Sequence, residues 1–185
     1  MLHRPLRRRI ELLQEFSIAR QLPVLVQLDH VVRQLVNIQG VSNLEGYVEL
    51  ESDQPILGWA SQVHNVTNDP GFEVSQGRGS TRLLVPSATQ GKFTSSLVIV
   101  NAGSDNALVD VISRGTDGAI TGQLRSIFIP ARGYFSDAKI LESLGSSQSS
   151  GSVEIISTNG QPIIATSRVY TTSGTSDFLD GQSMQ

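Results

Sequence analysis

Residues able to bind a metal ion or to activate a nucleophile are few and widely separated in this sequence. The histidines are His3, His30 and His64, and the chain has no cysteine. No two histidines have the short spacing of zinc ligands, and a chain without cysteine has no disulfide and no thiolate chemistry. We therefore predict that the chain carries no metal site and needs no cofactor.

Three further patterns approach a known chemical motif without completing it. Residues 90–94 contain the Gly-Lys pair of a phosphate-binding loop, but Pro86 replaces its first glycine and Phe93 stands at its hydroxyl position. No serine lies in a Gly-x-Ser-x-Gly elbow, and the aspartates between residues 105 and 137 lack the EF-hand spacing. The sequence thus predicts a protein that is not an enzyme.

Aromatic side chains are the remaining candidates for ligand contact, although they make up only 5% of the chain. Trp59 is the single tryptophan, and its position beside Ile56 and Leu57 in an apolar strand favours packing in a core or between units. Stacking on a sugar ring is the alternative. The candidate ligand or interface contacts are Trp59, Tyr47, Tyr134 and Tyr170.

Composition and charge limit the classes of partner. With 17% charged residues and a formal net charge of −3, the chain has no electrostatic reason to bind nucleic acid. The basic run Arg7, Arg8 and Arg9 is interpreted as a solvated end. No apolar run reaches the roughly 20 residues of a membrane-spanning helix, so we predict no membrane insertion.

The elements expected to position these residues are mostly short strands. Two-residue alternation and turn signals predict strands over 81–85, 93–101, 107–113, 120–129, 153–157 and 163–171. The dipeptides at 117–118 and 159–160, Asp-Gly and Asn-Gly, predict two tight hairpins. Asp137 is predicted to cap a short helix through Leu144. About seven strands at regular spacing indicate a β-sandwich.

One segment of the sequence occurs twice in similar form, which indicates a repeated structural unit. Residues 46–57 are echoed at 151–164, and both copies continue in parallel. The first copy would hold a helical pattern at 31–36, a loop at 37–45 and strands at 47–51 and 56–66. Upstream, residues 6–22 predict a helix that becomes extended from Phe16. We therefore predict a partial repeat over residues 1–78 and a complete repeat over 79–185.

The second unit resembles the tandem immunoglobulin-like or fibronectin-like β-sandwich modules of secreted and surface bacterial proteins. The resemblance lies in Leu-Leu-Val-Pro at 83–86, the strand at 93–101, Ile-Pro-Ala-Arg-Gly at 129–133, Gly-Ser-Val-Glu-Ile at 151–155 and Gln-Pro-Ile-Ile-Ala at 161–165. It implies tandem sandwiches, each with one short helix, the first incomplete. It also implies an extracellular or cell-surface location and no catalytic residues.

Three functions are compatible with this interpretation. The first is a structural or adhesive module that contacts a protein or a surface through its loops or sheet faces. The second is a self-assembling subunit, because a sandwich that lacks its opening strands exposes edges open to strand exchange. The third is a carbohydrate-binding module that uses Trp59 and the three tyrosines.

Overall fold

The computed structural model describes residues 6–10, 14–18, 47–50, 55, 57–63, 70–88, 93–146, 150–171 and 179–182. The chain divides into two compact units, Met1–Gly58 and Trp59–Gln185. The boundary predicted from the sequence, near residues 77–80, lies further along the chain than this division. The predicted helical pattern at 31–36 and the loop at 37–45 lie outside the described residues.

The first unit contains a three-stranded antiparallel sheet in the order β2-β1-β3. Its strands are β1 (Leu6–Ile10), β2 (Gln14–Ile18) and β3 (Val48–Leu50). The helix predicted at the start of residues 6–22 is therefore wrong. A spacing of four, as between Leu6 and Ile10, places two residues on one side of a helix but also on one side of a strand, so it could not separate the two.

The second unit contains the remaining ten strands and one helix that the structure describes. They are β4 (Trp59–Val63), β5 (Pro70–Val74), β6 (Arg82–Ala88), β7 (Phe93–Asn101), β8 (Ala107–Arg114), β9 (Ile120–Ile129), β10 (Tyr134–Asp137), α1 (Ile140–Ser143), β11 (Ser150–Ser157), β12 (Ile163–Thr171) and β13 (Leu179–Gln182).

Two four-stranded antiparallel sheets form a β-sandwich, which confirms the predicted mainly-β fold class. The first sheet has the order β6-β11-β8-β9 and the second has the order β10-β7-β12-β13, while β4 and β5 pair separately. One hydrophobic cluster joins both sheets and α1. Its fully buried members include Val109 and Ile155 of the first sheet, Ile99 and Ile163 of the second, and Ile140 of the helix.

The predicted hairpin at Asp117-Gly118 is confirmed. Strands β8 and β9 pair antiparallel on either side of it, and Gly118 has a φ of +80°, a conformation that glycine adopts without a steric penalty. The Asp117 carboxylate accepts a hydrogen bond from the Ala119 N–H at 3.0 Å. The turn preferences of Asp117 and Gly118 agree with the strand pairing, so the dipeptide alone was sufficient to predict this hairpin.

The hairpin predicted at Asn159-Gly160 is wrong. Strand β11 pairs with β6 and β8, whereas β12 pairs with β7 and β13, so this turn crosses between the two sheets. Asn159 explains the difference. Its side-chain oxygen accepts from the Leu108 N–H at 3.0 Å, and its amide donates to the Asn106 carbonyl at 2.8 Å. The turn is thus held against the start of β8.

The predicted helix is shorter than expected, and Asp137 does not cap it. Helix α1 begins after Lys139, and the Asp137 carboxylate instead accepts from the Lys139 N–H at 2.7 Å. The helix ends at Ser143, and Gly145 follows it with a φ of +64° and donates its N–H to the Glu142 carbonyl. Aspartate two residues before a helix favours this local turn over a cap.

Candidate functional site

Tyr134 and Tyr170 lie on the outer side of the second sheet, on either side of β7. Tyr134 pairs with Val100, and Tyr170 pairs with Thr94. The Tyr170 hydroxyl donates to the Ala138 carbonyl at 2.8 Å, and because β7 lies between β12 and β10, the side chain of Tyr170 reaches across β7. Tyr170 therefore connects β12 to the segment that follows β10.

The four predicted contact residues lie on or beside four different strands, β3, β4, β10 and β12. Tyr47 precedes β3 in the first unit, whereas Trp59 begins β4 in the second. The backbone of Trp59 pairs with Val74, and its register gives no link to Tyr134 or Tyr170. Their role as a ligand surface stays a prediction.

The predictions about histidine concern His3, His30 and His64, all of which lie outside the described residues. Within the described part of the chain, no group of three or more His, Cys, Asp or Glu side chains is close enough to hold a metal ion.

The outer side of the first sheet carries an unusual combination of apolar and charged side chains. The strand register places these residues on the side opposite to the core. We call this surface the arginine face; its members are Arg82 and Leu84 of β6, Glu154 and Ile156 of β11, Leu108, Asp110, Ile112 and Arg114 of β8, and Ile120, Arg125 and Phe128 of β9.

Four large apolar side chains of the arginine face are exposed to solvent. The exposed fractions are 37% for Leu84, 38% for Leu108, 50% for Ile120 and 59% for Phe128. Leu108 and Phe128 are direct cross-strand partners, so they form one patch. Apolar side chains that cluster on a surface mark a contact site more often than single exposed ones do.

Glu154 lies at the centre of this face and is held by two arginines. The Arg82 Nε donates to its Oε1 at 2.6 Å, and the Arg114 Nε donates to its Oε2 at 2.9 Å. The two guanidinium groups approach from opposite neighbouring strands and cover the carboxylate, whose side chain is 4% exposed. Each carboxylate oxygen therefore has its own arginine.

Asp110 forms the second acidic centre of the face. Its Oδ2 pairs with the Arg125 Nη1 at 2.6 Å, and its Oδ1 accepts from the Ser126 N–H at 2.8 Å. Ser126 has a φ of +54° and lies where the β8–β9 register shifts, which is a β-bulge. Asp110 thus stabilises the bulge and fixes the direction of Arg125.

Both carboxyl groups are expected to be ionised at neutral pH. Burial raises the pKa of Glu154. The hydrogen bonds and positive charges of Arg114 and Arg82 lower it by more than burial raises it, so the pKa lies below its ordinary value. Burial likewise raises the pKa of Asp110, and the Ser126 N–H and Arg125 more than offset this effect. At neutral pH, ion pairs therefore connect the strands of the arginine face.

These lowered pKa values predict a loss of stability in acid. The stabilisation is present above the ordinary carboxyl pKa values, about 3.9 to 4.3, and is lost as the pH falls through the lower folded-state values. We expect the free energy of unfolding, measured with urea, to fall as the pH drops below about 4. Glu154→Gln should flatten this dependence, whereas Asp105→Asn, at an exposed position, should retain it. Equal slopes for both variants would contradict the assignment.

Searches against protein-family models, curated proteins and solved structures found no match for this chain. Among the described residues, no helix has the length and apolar character needed to cross a membrane.

Sequence reasoning did not find the arginine face. The alternation at 107–113 does place Leu108, Asp110 and Ile112 on one side of β8, with Val109 and Val111 on the other. Both sides carry large apolar residues, however, so the pattern could not tell which side packs in the core. The partners of Glu154 come from strands 40 and 72 residues away in sequence, which no local pattern reveals.

Proposed function

We propose that this chain is a non-catalytic structural or adhesive β-sandwich module that contacts another protein or a surface through the arginine face. The observation that carries the proposal is the apolar patch of Leu108 and Phe128, which is exposed to solvent on two paired strands of the sheet. Leaving such side chains in water gains nothing for folding, whereas a partner that covers them gains their burial.

The charged groups of the face support the same function. The pairs around Glu154 and Asp110 fix three arginine side chains before any partner arrives. A contact surface with fixed side chains loses less conformational entropy on binding. The exposed charges of Arg82 and Arg125 would also give specificity for a partner of complementary charge.

The location we propose is extracellular or at the cell surface of a bacterium, as the sequence resemblance implies. The immunoglobulin-like resemblance is proposed for the architecture alone. In an immunoglobulin constant domain the first two strands share a sheet, whereas here β6 and β7 lie in different sheets.

Strand exchange and carbohydrate binding stay predictions. Among the described strands, two edge strands carry features that reduce free pairing: Pro86 lies in β6, and a bulge interrupts β9. For carbohydrate binding, the hydroxyl of Tyr170 already donates to Ala138.

A charge placed on the apolar patch tests the proposed function. Phe128→Glu puts a carboxylate at a position that is 59% exposed, so the fold should tolerate it while a covered apolar contact should not. We expect fluorescently labelled Phe128→Glu protein to bind intact cells of the source organism at least about fivefold less than the wild type does.

The matched control is Leu57→Glu, which introduces the same charge at another apolar residue, 76% exposed and outside the arginine face. It should bind cells like the wild type. Unchanged binding by Phe128→Glu, with an unchanged urea midpoint, would reject the proposed function.

A further inference from the structure

The guanidinium groups of the arginine face are oriented by contacts within the protein and still present unused donors. Arg125 donates through Nε and Nη2 to the Gln123 side-chain oxygen and through Nη1 to Asp110. These contacts use three of the five N–H groups of the side chain. The remaining two, one on each terminal nitrogen, can donate to a carboxylate of a partner.

The balance of charge on the face is opposite to that of the whole chain. Three arginines, Arg82, Arg114 and Arg125, face two carboxylates, Glu154 and Asp110, so the face has an excess of one positive charge. The chain as a whole has a formal net charge of −3. The side chains of Arg82 and Arg125 are 70% and 52% exposed, so this excess lies at the surface.

The same charges disfavour a second copy of the chain as the occupant. A two-fold symmetric contact places the same patch on both sides of the interface. The exposed arginines of one copy would then face those of the other, while the carboxylates that could neutralise them are already covered. Like charges brought together in an interface cost free energy and select against that pairing.

We infer that the arginine face binds an acidic segment of another protein, with apolar side chains that cover Leu108 and Phe128 and carboxylates that bind Arg82 and Arg125. This inference rests on the proposed function and names its partner class. An extended segment fits best, because its side chains alternate in direction every residue and can present one row of such groups to a flat sheet.

Two synthetic peptides of about ten residues serve as probes. One alternates aspartate with tyrosine, and the other alternates lysine with tyrosine, so the two share their aromatic residues and carry opposite charge. Binding of each labelled peptide to the full chain is measured by fluorescence anisotropy. We expect the acidic peptide to bind, the basic peptide to bind at least about fivefold more weakly, and added salt to weaken the acidic complex.

Variants locate the binding. Arg125→Gln and Arg82→Gln should each raise the Kd of the acidic peptide about fivefold, and Phe128→Glu should raise it further. Lys139→Gln removes a positive charge that is 54% exposed just before α1 and should leave the Kd unchanged. Because Arg125 pairs with Asp110, which stabilises the bulge, its variant is compared with Arg82→Gln, whose side chain is the more exposed of the two.

The outcomes separate the partner class from the function itself. Equal binding of both peptides, or Kd values unaffected by the arginine variants, would overturn the acidic partner while leaving the contact function intact if Phe128→Glu still abolishes cell binding. A wild-type dimer that Phe128→Glu dissociates in light scattering would also overturn it, since the occupant would be a second copy. If Phe128→Glu binds both the acidic peptide and the cells as well as the wild type does, both proposals are rejected.

Discussion

Asn101→Ala should destabilise the sandwich by about 3 kcal/mol or more, because a single fully buried amide joins the loop that follows β7 to the end of β9. The Asn101 Nδ2 donates to the Asp105 carbonyl at 2.8 Å, the Pro130 carbonyl at 2.9 Å and, more weakly, the Ile129 carbonyl at 3.2 Å. Its Oδ1 accepts from the Gly103 N–H at 2.9 Å. Alanine leaves these backbone groups without that partner.

The measurement is the urea midpoint of the full chain. Asn106→Ala is the matched control, because Asn106 is exposed and its side-chain oxygen accepts from the Ala131 N–H at 3.1 Å. The control should cost about 1 kcal/mol or less. Asn101→Asp, which keeps the shape but turns an acceptor towards the same carbonyls, should be at least as harmful as alanine. Equal midpoints for Asn101→Ala and Asn106→Ala would contradict this role.

Gly122→Ala should also destabilise the protein, by about 1 to 3 kcal/mol. A Cβ at position 122 of β9 would meet the Leu144 carbonyl oxygen and lie 3.0 Å from the Ser146 nitrogen. Both are backbone atoms of the segment that ends α1, so neither can rotate away. Relief would require this segment to move from the sheet, which would also disturb the hydrogen bond between the Thr121 and Ser146 hydroxyls.

Gly77→Ala provides the control for this prediction. A Cβ there would have no neighbour within 4 Å. Replacement of glycine at an unstrained, open position changes stability by less than about 1 kcal/mol and can raise it. A urea midpoint for Gly122→Ala equal to that of Gly77→Ala would show that the α1 segment does not press on β9.

Local signals predicted β6 to β9, β11 and β12, where the turn residues and the alternation agree, but they did not predict β5, β10 or β13. Asp117-Gly118 gave both the hairpin and its strands. Asn159-Gly160 is an equally strong local signal, yet it forms a crossing between sheets, because the Asn159 side chain binds β8 more than 50 residues upstream. Hydrogen bonds to residues this far away in sequence cannot be predicted from a dipeptide.

The tandem organisation remains a prediction for a different reason. The structure describes β3 and β4, which fall within the predicted strands at 47–51 and 56–66, but these strands belong to different compact units. In the second unit, the corresponding segments β11 and β12 each occupy a sheet centre. A similar sequence can form strands in both places without forming the same unit.

The candidate site was harder to predict from the sequence than the fold was. Aromatic residues led to Trp59 and the tyrosines, whereas the exposed patch is formed by Leu108 and Phe128, which resemble core residues in any apolar strand. Their exposure depends on which side of the first sheet meets the second. That choice is made by the whole cluster of buried side chains and not by any one strand.

Photo-crosslinking at position 128 is the most direct test of the central claim that the arginine face is a contact surface. Phe128 is replaced by benzoylphenylalanine in the full chain, expressed in the source organism, and Leu57 is replaced in the same way as the control. We predict a discrete crosslinked protein from position 128 and none from position 57. No crosslink at position 128, or the same products from both positions, would contradict the claim.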